Sequence, residues 1–171
     1  KVEEKVRETL RRIYERHRKI VKEVEEKHRE SNERLRREIE RVKRKLDEIL
    51  KKLEEAPVDE DVIRRLRKEL RDLEEKMERK LRESERNSEE VKRRAEESNK
   101  RLRDKIKTLE EANLREDRVA EVLKKLKDDV DKSAEELERH VKRNRDEVRK
   151  IVEDLDRVLE ELRTKVDEEA R

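Results

Sequence analysis

A chain of 171 residues that is 61% charged and 29% apolar, with no Gly, Cys, Trp or Phe and one Pro, lies far from evolved globular domains, which are about a quarter charged and nearly half apolar. So little apolar material fits long helices that each bury one narrow stripe and turn the rest to water. The 54 basic and 51 acidic residues leave a net charge of only +3, which argues against both a disordered polyelectrolyte and a one-sided basic face for nucleic acid.

Other classes fall away on the same grounds. Tyr14 is the only aromatic residue, so no platform exists on which bases could stack. No apolar run approaches the roughly 18 residues of a membrane span, and no secretory signal is evident. The absence of Cys leaves the redox compartment open. Charges instead follow helical spacing, as in Glu8–Arg12, Glu15–Lys19, Glu25–Arg29 and Glu30–Arg34. Each places Glu four residues before a cation, the orientation worth roughly 0.2–0.5 kcal/mol per pair.

The first predicted helix runs from about residue 1 to 56. Its apolar stripe passes from Val2 and Val6 through Leu10, Ile13, Val21, Val24, Leu35, Ile39, Val42, Leu46 and Ile49 to Leu53, with His17, His28 and Ser31 inside it. The break that follows is Ala56-Pro57-Val58-Asp59. Pro57 lacks a backbone donor and disfavours helix at Ala56. Asp59 can then cap a second helix, with Glu60 and Asp61 in a first turn that favours negative charge.

The second helix is expected over about residues 59–112. Its stripe takes in Ile63, Leu66, Leu70, Leu73, Met77, Leu81, Val91, Ala95, Leu102, Ile106 and Leu109, interrupted by Ser84, Ser88 and Ser98. A weaker break at Ala112-Asn113-Leu114 follows, where Asn113 tolerates the left-handed conformation that ends helices. The third helix, about 116–171, carries Val119, Leu123, Leu126, Val130, Leu137, Val141, Val148, Ile151, Leu155, Val158, Leu162 and Val166, interrupted by Ser133 and Asn144. Ile20, Leu50, Val122, Val152 and Leu159 widen the stripes enough for a three-helix core.

The stripe steps alternate between three and four, so a nearly straight or weakly left-handed assembly is expected. Segments of about 55 residues rise roughly 80 Å at 1.5 Å per residue. Joined by short turns, they predict an all-α, long antiparallel up-down-up three-helix bundle, coiled-coil-like and forming a single domain.

Polar residues inside the stripes are the informative ones. In an antiparallel hairpin facing positions share a constant sum of residue numbers, about 115 across the first turn and about 228 across the second. These sums set Ser31, Ser84 and Asn144 at one level. They set His28, Ser88 and His140 at a neighbouring level, with Asn87 alongside, and they pair His17 with Ser98, with Ser133 within a turn. Asn32 and Asn99 border these levels. A buried hydroxyl, amide or imidazole without a partner costs roughly 1–3 kcal/mol, so facing polar residues that satisfy one another fix the helix register.

Chemistry is the competing reading of these residues. Nothing in the sequence shows a base and orienting acid beside the serines, as a nucleophile needs. His28 and His140 share a level with Ser and Asn, which are poor zinc ligands. No glycine-rich phosphate loop, metal motif or triad spacing is present. No catalytic, metal or cofactor site is therefore expected.

Equal-length helices, Leu/Ile/Val seams, dense Glu/Lys/Arg surfaces and Ser/Asn/His clusters within the seams resemble de novo designed helical bundles with buried hydrogen-bond networks. The resemblance spans the whole chain. It implies a scaffold, specificity module or switch with no natural substrate. The matched levels and low apolar content lead to the expectation of a monomer that requires no partner. The alternatives are self-association or a groove that accepts a partner helix. One departure is that neither turn contains Gly, the usual helix-ending residue of such designs. Spectrin-like repeats have shorter helices and buried aromatics, and crescent-shaped membrane-bending dimers need kinks and a basic face. If His17, His28 and His140 are buried and neutral, a loss of stability is expected on acidification below about pH 6, as imidazoles protonate.

Overall fold

The computed structural model describes residues 3–112 and 115–169, apart from the side chain of Glu116. Three helices account for nearly all of them: α1 (Glu4–Glu55), α2 (Glu60–Glu111) and α3 (Glu116–Glu169). The fold is an all-α three-helix bundle, and no strand occurs among the described residues. Val2, assigned above to the first stripe, and Asn113 and Leu114 of the second turn lie outside the described residues.

The helices are uninterrupted because nothing in them breaks a helix: Gly is absent and the single Pro lies between α1 and α2. At that turn the Val58 amide donates to the Ala56 carbonyl at 2.9 Å, so the chain reverses tightly around Pro57. The Ile63 amide donates to the Asp59 carbonyl at 3.1 Å. Asp59 therefore occupies the capping position, and Glu60 and Asp61 follow in the first turn of α2. At the start of α3 the Val119 amide donates to the Arg115 carbonyl at 3.0 Å.

Packing divides the chain into two compact units, and each helix runs through both. One comprises Lys1–Arg29 with Asn87–Arg143, the other Glu30–Arg86 with Asn144–Arg171. The second unit holds a continuous apolar cluster. Leu35, Val42 and Leu53 of α1 and Met77 of α2 are completely buried there against Val148, Leu155, Leu162 and Val166 of α3. Burying one such side chain contributes roughly 1.5–3 kcal/mol.

Ion pairs across the helices of this unit report direction. As the α1 partner moves along the chain from Arg36 to Lys43 to Glu54, the α2 partner moves back from Glu85 to Glu78 to Arg67. Between α2 and α3, Lys76 pairs with Asp154 and Glu69 with Lys165. Both pairings are antiparallel. Arg41 with Asp156 and Lys52 with Asp167 are each 115 residues apart, so α1 and α3 run parallel.

The first unit is organised differently. It contains two apolar clusters, one of Leu10, Ile13, Leu102, Ile106, Leu126 and Val130, the other of Val21, Val24, Ala95, Leu137 and Val141. On every helix a polar residue lies between the two sets: His17 on α1, Ser98 on α2, Ser133 on α3. Leu159 is fully part of the second unit's core, while Leu50 and Val152 there and Ile20 and Val122 in the first unit are partly buried flanking residues.

Candidate functional site: a buried polar cluster around His17

The seam that places Leu10 and Ile13 inward also places His17 inward, one turn further on. A polar side chain that must follow the apolar stripe is then committed to the core. His17 is only 1% exposed, and both its ring nitrogens are engaged. Nδ1 lies 3.0 Å from Asn99 Oδ1, and Nε2 lies 3.0 Å from Ser133 Oγ. Ser98 Oγ stands 3.4 Å from Nε2 and 3.3 Å from Ser133 Oγ. The Asn99 amide nitrogen donates to the Tyr14 hydroxyl at 3.4 Å.

The direction of the bonds follows from the groups. An amide oxygen only accepts, so Nδ1–H donates to Asn99. In the neutral ring Nε2 then carries the lone pair and accepts from the Ser133 hydroxyl. Ser98 can donate to the oxygen of Ser133 in turn. All three helices are thus tied into a single directed chain, and the unpaired-group penalty is removed. A cleft of about 200 Å³ opens on this cluster, lined by His17, Ser98 and Ser133, by Leu102 and Val130, and by Arg101, Lys105 and Asp129.

The level assigned to Ser31, Ser84 and Asn144 is also inward: all three are buried. A bond leads out of that set, from the Ser84 hydroxyl to Asn32 Oδ1 at 2.7 Å. Asn144 Oδ1 is buried without a hydrogen-bond partner among the described residues. The remaining level is mixed. His28 is buried, and its Nδ1–H donates to the Val24 carbonyl one turn back at 3.0 Å. Ser88 and His140 are half-buried, and Asn87 is exposed. Asn87 sits one residue off the α2 seam and turns to solvent. His140 Nε2 lies 3.9 Å from Glu136 Oε1 on its own helix.

Burial pushes the His28 pKa below the ordinary imidazole value, and the charge of nearby His140 acts in the same direction against the opposing bond to Val24. Three residues before His28 on α1, burial raises the Glu25 carboxyl above its usual range. Lys92 partly offsets this, while Glu96 reinforces it by its charge and by a carboxyl–carboxyl hydrogen bond.

Seam reasoning left Asn32 and Asn99 at the margin and gave Tyr14 no place in the layers. Each neighbours a seam position (Ser31, Ser98 and Ile13), about 100° round the helix. Asn and Tyr are long enough to reach back into the layer, whereas Ser is not. A long polar side chain directly after a seam polar residue is the signal that marks Asn32 and Asn99, whereas Tyr14 follows the apolar Ile13 and carries no such signal.

Among the described residues no group of three or more His, Cys, Asp or Glu side chains is placed to hold a metal ion. No helix there is long and apolar enough to cross a membrane. No family model matches the chain, and neither a curated protein nor a solved structure is significantly similar to it.

Proposed function

We propose that this chain is a structural scaffold of designed origin, a three-helix bundle whose inward-facing polar side chains specify helix register. The observation that carries the reading is His17, buried with each ring nitrogen bonded to a different neighbouring helix. Displacing α1 by one turn would set the imidazole against Leu or Val and strand both nitrogens, at about 1–3 kcal/mol per unpaired group. An apolar seam alone resists such a shift weakly, because Leu packs on Leu at several heights.

The same reading favours a self-sufficient monomer. No large apolar side chain is exposed among the described residues, so a fourth helix would find no uncovered stripe on which to dock. Salt bridges between helices border the seams instead, and they are worth little individually.

The register role is tested by a variant with His17→Leu, Ser98→Ala, Asn99→Leu and Ser133→Val. It should melt at or above the parent's temperature, since a satisfied polar layer seldom outdoes apolar packing. Its amide spectrum should split into more than one set of resonances. A single set as sharp as the parent's removes the proposed role. Absolute mass by light scattering should give one chain, and a stable dimer would overturn the monomer.

A further inference from the structure

We propose that the cleft beside His17 is an acyl-transfer site, with Ser133 as nucleophile, His17 as its base and Asn99 positioning the base. Serine becomes nucleophilic when a base lies within hydrogen-bond reach and a third group orients that base. Here Ser133 Oγ is 3.0 Å from His17 Nε2, and His17 Nδ1 is 3.0 Å from Asn99 Oδ1. Because that oxygen accepts only, the neutral ring presents its lone pair to Ser133. Asn99 is itself held by Tyr14. The three groups arrive from three helices, so packing fixes their spacing and no mobile loop is involved.

A layer that served register alone would need satisfied bonds and no opening. This one lines a cleft of about 200 Å³. Leu102 and Val130 give it apolar walls, and Arg101, Lys105 and Asp129 line its rim, with Lys105 paired to Asp129 at 3.8 Å. Drug-sized pockets run about 300–1,000 Å³, so the space suits a short acyl group. The substrate class is a small activated ester, such as an aryl acetate or butyrate.

In the first step Ser133 Oγ bonds to the carbonyl carbon while its proton passes to His17 Nε2. The oxyanion that forms has the Ser98 hydroxyl nearby, 3.3 Å from Ser133 Oγ. The carbon–oxygen bond to the leaving group then breaks, and the departing oxygen takes the proton from Nε2. Water next attacks the acyl-serine, giving a proton to Nε2. Cleavage of the ester bond to Oγ returns that proton to Ser133 and releases the carboxylic acid.

The test uses the full chain and a fluorophosphonate, which bonds Ser133 Oγ to phosphorus as fluoride leaves and the proton passes to His17. Peptide mapping should find the adduct at Ser133. p-Nitrophenyl butyrate should show a burst of nitrophenolate stoichiometric with the chain. Ser133→Ala should abolish both, with helicity unchanged, and His17→Gln should slow labelling by about a hundredfold, the lower end of general-base contributions. Asn99→Asp, which keeps the acceptor, should retain labelling. No adduct, or adducts spread evenly over Ser84, Ser88, Ser98 and Ser133, overturns the proposal. So does a burst that survives Ser133→Ala. If His17→Gln fails to fold, the mapping and Ser133→Ala decide the matter.

Discussion

His28 and Asn144 show how differently two inward polar residues can stand. The His28 ring sits in the core with its Nδ1 proton on Val24, so its neutral form is the one the fold accommodates. Its pKa is lowered by burial and by His140. In the window between that lowered value and the unfolded value of about 6.5, the unfolded chain binds more protons than the folded one. Stability is therefore fully present above about pH 6.5 and falls as pH drops through the folded pKa. Melting followed from pH 7.5 to 5 should show this decline, and His28→Asn should flatten it. An equal slope in both proteins would remove His28 as the cause. Asn144 carries the opposite lesson, because its buried Oδ1 has no partner among the described residues. Asn144→Leu, close in volume, should raise stability by about 1–3 kcal/mol, the usual cost of an unpaired buried group. Urea unfolding measures the difference, and a loss would show that the amide is satisfied.

Among the elements, the start of α2 depends on Asp59. Its carbonyl accepts the first bond of the helix, its side chain is exposed, and two carboxylates follow it in the first turn. Asp59→Ala should cost about 0.5–2 kcal/mol, as loss of a capping side chain does elsewhere. Hydrogen exchange should quicken in the first turn of α2 and not in the middle of α1. Pairs between elements are weaker levers. Lys43 and Glu78 hydrogen-bond across α1 and α2, which raises the lysine pKa and lowers that of the glutamate. Both side chains are more than a third exposed, so solvent screens the pair and its contribution stays within about 1 kcal/mol. Lys43→Met should change the unfolding free energy by no more than that.

For the molecule as a whole, cohesion rests on apolar contact more than on charge. Leu35 is completely buried in the second unit's cluster. Leu35→Ala should cost about 2–5 kcal/mol, transfer and cavity together. That exceeds what any exposed ion pair contributes, so denaturant unfolding of the two variants ranks core above surface. An equal loss for Lys43→Met would contradict the ranking.

The sequence by itself determined the three helices, the turn at Pro57 and the inward stripes. Periodicity and a proline's missing donor are local properties, readable along one strand. His17, His28, Ser31, Ser84 and Asn144 were legible as inward for the same reason. Only the tertiary structure decided which atoms meet. It drew Asn99 and Tyr14 into the His17 cluster and Asn32 onto Ser84, and it turned Asn87 outward. A residue one step off the seam points about 100° away from it. Whether its side chain reaches back depends on the neighbouring helix's height and rotation, and these are set by packing.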